Sequence, residues 1–356
     1  MSRELAITGW GVASPTGIGA DDFAAAVLAG RSGVTDPGDL FDGQLPVGPV
    51  AAMVDFQVRE HLGRKGTSSL DRGTALALVA GRHALADSGL LVDHENADGS
   101  GVVLGTTAGS VRSVAEYDRD TLVQDKPYLV EPMLFPTTVM NCAAGRSAIW
   151  HGLKGVNATV AGGQLSLVQV LRYTRNALTR GHADTVLAGA FEELSPHRAW
   201  HHRVRHGTDG VPLGEGAAVF VVERPDTARA AGRKAEARVL AVESAVGDDI
   251  DRTLALCLAR ALGSAGLAPS DVWAVATSER GDDDLDAAER TGIAAVLGDV
   301  ERLPVKNLVG ECDAASGAFQ LAALLAHHRA GAGRCSVVTS VSADGSAGVA
   351  VLGSVD

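Results

Sequence analysis

"NATVAGGQLSLVQVL", residues 157–171, decides how this chain is read. A short β-prone run breaks at Gly162–Gly163 and restarts as an apolar, helix-forming segment. The residue at the break is Gln164. A turn of this kind aims a nucleophile out of a helix N-terminus, yet glutamine is not a nucleophile. The surroundings must therefore explain a catalytic-looking turn that carries an amide.

Working outward, the chain contains a duplication. "DRGTALALVAGRHALADSGL" (71–90) is echoed by "DRTLALCLARALGSAGL" (251–267), each apolar at helical spacing and each ending at Gly-Leu, a helix stop. "ELAITGWGV" (4–12) precedes the first helix and "ARVLAVESAVG" (237–247) the second. "GVVLGT" (101–106) and "VWAVATS" (272–278) follow them. Later come "ADTVLAGAFEE" (183–193) and "CSVVTSVSADG" (335–345), then the apolar strands "AAVFVVE" (217–223) and "AGVAVLG" (347–353). Short strands, apolar on both faces and separated by helices, predict mainly parallel sheets covered on both sides. Two such halves back to back make a five-layered α/β sandwich. The expected halves are 1–230 and 231–356, with an interface insertion at about 112–160 that lacks a counterpart in the compact second half.

The 356 residues are 46% hydrophobic, 21% charged and 4% aromatic, so a globular core must be built from small and branched aliphatic side chains. The formal charge of −12 and the lack of a basic run argue against a nucleic-acid partner. Cys142, Cys257, Cys312 and Cys335 are widely spaced, which predicts reduced thiols rather than disulfides or a zinc site. No apolar run reaches the ~18–20 residues of a membrane span and the first residues do not form a signal peptide, so a cytoplasmic protein without a membrane partner is expected. "HRAWHHRVRH" sets His197 and His201, and His202 and His206, at i,i+4. Without H-E-x-x-H or a third ligand this reads as a solvated or interface cluster, and no metal is expected. "ERGDDDLD" (279–286) reads as a polar loop whose acids favour the start of helix 285–297. "GTTAGS" (105–110) lacks both nucleotide-loop patterns, so no cofactor is expected.

Four segments, in order, carry a resemblance: "LAITGWGVASPTGIG", "FPTTVMNCAAGRSAIWHGLKGVNATV" (135–160), "LGEGAAVFVVE" (213–223) and "VKNLVGECDAASGAFQLAALL" (305–325). The sequence resembles the β-ketoacyl synthase branch of the thiolase superfamily over nearly its whole length. The resemblance implies a thiolase-like α-β-α-β-α sandwich. It also implies three catalytic groups: a cysteine at the turn to hold the acyl chain, and two histidines that stabilise enolate and oxyanion. Here Gln164 takes the place of the cysteine. The first histidine belongs just after the strand 272–277, where "TSERGDDD" offers Ser278 and Glu279. The second lies five residues after Lys306, where Glu311 stands.

With all three groups gone, the chain resembles the chain length factor, the non-condensing partner of a type II polyketide ketosynthase, and the partner subunits of highly reducing, polyene-forming systems in particular. The resemblance implies a heterodimer with a catalytic ketosynthase and an acyl-carrier-protein-bound polyketide chain as partners. It also implies that the helix after strand 101–106 crosses the interface and closes the far end of the partner's acyl tunnel. On that segment Val111, Val114, Ala115 and Asp118 lie at i, i+3, i+4 and i+7 and share one face, a candidate cavity gate with an open end, or ordinary interface packing. A physical role for Gln164 is to hydrogen-bond backbone groups at the helix start. The competing reading is a stand-alone ketosynthase-like enzyme with rewired acyl-transfer, hydrolytic or decarboxylase chemistry, using Ser166, Cys312 or Gln164. The thiols of Cys142 and Cys312, near helix starts, have a position where a thiol pKa can fall.

Overall fold

The computed structural model describes residues 4–41, 45–46, 48–207 and 210–355. The chain runs β1 (Leu5–Ser14), β2 (Gly17–Ile18), α1 (Ala20–Leu28), α2 (Val58–Leu62), α3 (Arg72–Ser88), β3 (Ser100–Gly105), α4 (Val111–Val123), α5 (Cys142–His151), β4 (Asn157–Val160), α6 (Ser166–Thr179), β5 (Thr185–Glu192), α7 (Pro196–His206), β6 (Gly216–Glu223) and α8 (Pro225–Ala230). It continues through β7 (Ala237–Val246), α9 (Ile250–Ala265), β8 (Val272–Ala276), α10 (Asp283–Leu297), β9 (Glu301–Leu303), α11 (Lys306–Val309), α12 (Ser316–Arg329), β10 (Cys335–Val341) and β11 (Ser346–Ser354). The two echoed helices are α3 and α9, and both end as their Gly-Leu pairs predict. Gly89 and Gly266 adopt left-handed φ angles of 67° and 68° that close the last turn.

The sheet order is β4-β3-β5-β6-β1-β7-β11-β10-β8-β9, with β2 paired to β1 off this path. Each half repeats one strand order, and the halves join where β1 pairs antiparallel with β7 at Leu5↔Val239, Ala6↔Arg238 and Ile7↔Ala237. The expectation of mainly parallel strands is corrected. Only β3·β4, β3·β5, β8·β9 and β8·β10 are parallel, and the five pairings from β5 through to β10 are antiparallel. Strands apolar on both faces report coverage by helices on both sides, which either direction of pairing satisfies. A second expectation changes as well. Segment 112–160 is not wholly without a counterpart: β4 and β9 occupy equivalent ends of the sheet, and α5 and α10 precede them. Only the stretch through α4 up to residue 141 stands alone.

Three apolar clusters account for five layers. One lies between α3, α5 and the strands of the first half, through Leu76, Val79 and Phe191. A second lies between α9 and the strands of the second half, through Leu254, Leu258 and Val349. The largest sits between the two halves, around α6 and α12. Residues 316–326 of α12 are buried without interruption, the mark of a helix enclosed on all sides. Small residues make this possible: the helix reads SGAFQLAALLA, and Phe319 stacks on Phe23 with ring centroids 6.0 Å apart. Among the described residues no helix is long and apolar enough to cross a membrane.

Candidate functional site

α6 and α12 enter the middle layer through matching turns. Gly163–Leu165 forms one 3₁₀ turn before Ser166, and Asp313–Ala315 forms one before Ser316. In each, a backbone N–H four residues upstream donates to the serine Oγ: Gly162 to Ser166 at 3.2 Å, and Cys312 to Ser316 at 3.1 Å. Gly163 has φ 51°, a left-handed conformation that glycine adopts without Cβ strain, so the chain can turn sharply out of the β4 edge. That turn drives the Gln164 side chain inward, and it is buried.

Gln164 meets Lys306 and Glu311, both also buried. Lys306 Nζ donates to Glu311 Oε2 at 2.7 Å and to Gln164 Oε1 at 3.0 Å, and Gln164 Nε2 donates to Glu311 Oε1 at 3.1 Å. The three side chains close a triangle. Asp313 N–H (2.7 Å) and Ser316 Oγ (3.1 Å) add two more donors to Glu311 Oε1. Burial by itself pushes the Glu311 carboxyl up, but the Lys306 charge and the hydrogen bonds from Lys306 and Gln164 bring it down to about 2. Glu311 is therefore held as a carboxylate that accepts four hydrogen bonds, one of them from Lys306. The expectation that Gln164 bonds helix-start backbone is corrected: its described hydrogen bonds go to the two charged side chains.

The nucleophile candidates beside this turn are Cys312 and Ser166. Cys312 is fully buried and its Sγ donates to Val309 O at 3.4 Å. Burial pushes its thiol well above the ordinary range in spite of the nearby Arg198 charge, and burial raises Cys142 too, so neither thiol has the lowered pKa considered above. Ser166 Oγ is occupied by the Gly162 N–H, and no histidine appears among the described partners of Ser166 or Cys312.

Ser278 and Glu279 are drawn elsewhere. Ser278 donates through N (2.9 Å) and Oγ (3.0 Å) to the buried Glu289, which also accepts from Thr339 Oγ1 at 2.6 Å. Glu279 pairs with Arg290 at 3.1 Å and Arg302 at 2.9 Å. Of the α4 residues, Val111 lines a cavity of about 350 Å³ together with Thr107, Glu192, Arg198, His201 and Asp313. Val114 and Ala115 are half-buried and Asp118 is exposed. Among the described residues no group of three metal-binding side chains is gathered, and the side chain of His206 lies outside them.

Sequence reasoning missed Arg198, whose buried guanidinium bonds the carbonyls of Glu193 (2.9 Å), Gly214 (2.7 Å) and Glu311 (3.0 Å) and the Asp313 carboxylate (2.8 Å). Within the basic-looking α7 segment nothing marks it from its neighbours. It also missed Glu192 and Glu193, whose signal was available: two acids in a row ending an otherwise apolar strand. Glu215 of the Gly-Glu-Gly motif is buried and chelated by Arg72, with Nε and Nη2 each at 2.6 Å.

Residues 2–228 match the β-ketoacyl synthase N-terminal domain and residues 249–332 the β-ketoacyl synthase C-terminal domain. The chain belongs to the β-ketoacyl synthase family. Among curated relatives of this ketosynthase-like chain is the tetracenomycin polyketide synthase ketoacyl synthase alpha subunit of Streptomyces glaucescens, 30% identical over 90% of this chain and 84% of that one. A solved structure described as the ishigamide ketosynthase/chain length factor superposes with a TM-score of 0.88, at 36% identity and 99% coverage of both chains. A type II polyketide synthase acyl-carrier protein in complex with its ketosynthase bound to the hexaketide superposes at 0.83 over the full length of both chains, and at 20% identity that likeness concerns the fold. The thiolase-like architecture of the ketosynthases is thus the architecture of this chain.

Proposed function

We propose that this chain is a non-condensing chain length factor, which pairs with a catalytic ketosynthase and shapes the cavity in which a carrier-protein-bound polyketide grows in a type II polyketide synthase. The observation that carries this reading is the Gln164–Lys306–Glu311 triangle. A condensing site needs a thiolate, and positive or hydrogen-donating groups free to receive developing negative charge. Here an amide stands at the turn, the buried Lys306 ammonium is committed to a carboxylate, and that carboxylate would repel an enolate. The site is closed by its own hydrogen bonds, so the fold serves as scaffold and surface.

The surface supports the same reading. Along α4, α5 and the segment that joins them the chain exposes Leu122 (84%), Tyr128 (69%), Met133 (66%), Phe135 (59%) and Ile149 (79%). An apolar strip of this kind suits an obligate interface, which buries on the order of 2,000 Å² or more. On this reading Val111, Val114, Ala115 and Asp118 of α4 form the face that bounds the far end of the partner's tunnel. The test is co-expression with a ketosynthase that retains its cysteine and histidines. The expected result is a stable heterodimer that makes polyketide, with no acyl adduct on this chain by intact mass. A monomer that ignores the ketosynthase, or an acylated one, overturns the proposal.

A further inference from the structure

α4 is held in an unusual way. Of its thirteen residues only Ser113 is fully buried, while Val111, Val114, Ala115 and Tyr117 are half-buried and the Tyr117 ring lies 6.0 Å from that of Phe135. Its start is held by polar groups as well. Ser110 caps the helix, its Oγ accepting from Ser113 N–H at 3.1 Å. The next first-turn donor, Arg112 N–H, goes to a different element: it reaches Glu193 Oε1 at 3.0 Å, while Ser110 Oγ donates to Glu193 Oε2 at 3.0 Å. Glu193 directly follows β5 and is buried, with its own carbonyl gripped by Arg198. Its neighbour Glu192 takes the N–H of Thr107 in the loop before α4. One carboxylate therefore satisfies an orphan N–H of the helix, binds the capping residue and lies at the positive end of the helix dipole.

We propose that Glu193 is a positioning residue: its carboxylate fixes the first turn of α4, and with it the wall that α4 contributes to the polyketide cavity. This rests on the chain length factor reading. It predicts that product length depends on a residue that does not itself line the cavity beside Val111.

The experiment compares Glu193→Ala, which removes both acceptor oxygens, with Glu193→Gln, which keeps one, in the heterodimer with a catalytic ketosynthase. Val111→Trp serves as a control for the cavity itself. In Glu193→Ala, amide exchange at Arg112 and Ser113 should rise roughly tenfold, the loss of a buried hydrogen bond, while exchange in β5 and α6 stays as in the parent. The products should spread over neighbouring lengths at an unchanged total rate of condensation. Glu193→Gln should restore most of both properties. Unchanged exchange in α4 overturns the proposal outright. Faster exchange with unchanged product lengths, where Val111→Trp does alter them, overturns the link from Glu193 to length and leaves the chain length factor reading standing. If neither Glu193→Ala nor Val111→Trp alters length, α4 does not bound the cavity and the proposal falls with that part of the functional reading.

Discussion

The ammonium group of Lys306 and the carboxylate of Glu311, five residues apart in sequence, meet at 2.7 Å in a site where neither is exposed beyond a few per cent. Two turns of the chain and the amide of Gln164 are needed to enclose them. Each charge has lost its water and found the other, so neither is available to a substrate.

Removing one partner of such a pair leaves an uncompensated buried charge, at a cost of about 3–5 kcal/mol. Lys306→Met and Glu311→Leu should each lower the unfolding free energy, read from urea titrations, by that much. The double substitution should cost clearly less than the two single losses added. Additive losses would mean that the two charges are stabilised independently.

Gln164→Cys should not create a condensing subunit. The new thiol would sit beside Glu311, whose ionised carboxylate disfavours a thiolate, and the helper histidines remain absent. Incubation with acyl-thioesters and intact mass should show no stable adduct, and ketosynthase-free assays no condensation. Gln164→Ala should lose about 1–3 kcal/mol of stability through unmet hydrogen bonds, yet the assembled heterodimer should keep most of its product formation. Loss of activity in an intact heterodimer would give Gln164 a chemical role.

Burial pushes the Glu193 carboxyl up to about 7, against the pull of the Arg112 N–H, with Asp71 and Glu215 adding to the rise. A raised carboxyl binds its proton more tightly in the folded state. Its contribution is therefore most favourable below the ordinary value of 4.5 and is lost as pH rises to about 7. The stability gap between the parent and Glu193→Gln, which cannot ionise, should move in favour of the variant from pH 5 to pH 7.5, by on the order of 1–3 kcal/mol. Urea titrations at the two pH values check this, and a constant gap would rule it out.

Val111 borders the cavity, and filling a packed site costs roughly 1–3 kcal/mol, which a large interface absorbs. Val111→Trp and Val114→Phe should leave the heterodimer intact and shorten the dominant product by at least one two-carbon unit. Mass spectrometry of the products decides, and an unchanged length distribution in both variants removes α4 from the gate.

Ile149 is 79% exposed, so Ile149→Asp should barely change the stability of the isolated chain, within about ±0.5 kcal/mol. On the proposed interface it should weaken association with the ketosynthase by tenfold or more, since a charge would be buried unpaired. Size-exclusion chromatography of the co-expressed pair reads this directly.

Much of the architecture was legible because it is periodic and duplicated. Helical spacing in 71–90 and 251–267, Gly-Leu stops and apolar strands each announce a local element, and their repetition announces two halves. That Gln164, Ser278 and Glu311 stand where the resemblance expects a cysteine and two histidines was equally legible, because the residue type at a motif position needs no coordinates. Sequence could not give strand direction, because burial on both faces is the same for parallel and antiparallel neighbours. Nor could it give the partners of Gln164. Lys306 and Glu311 lie more than 140 residues away, and only the packing of α6 against α12 brings the matching turns together. The same holds for Glu193, which follows one strand and bonds the start of a helix that begins some eighty residues earlier. Local propensities write the elements, whereas the distance between two side chains on different elements is set by the close packing of the layers between them.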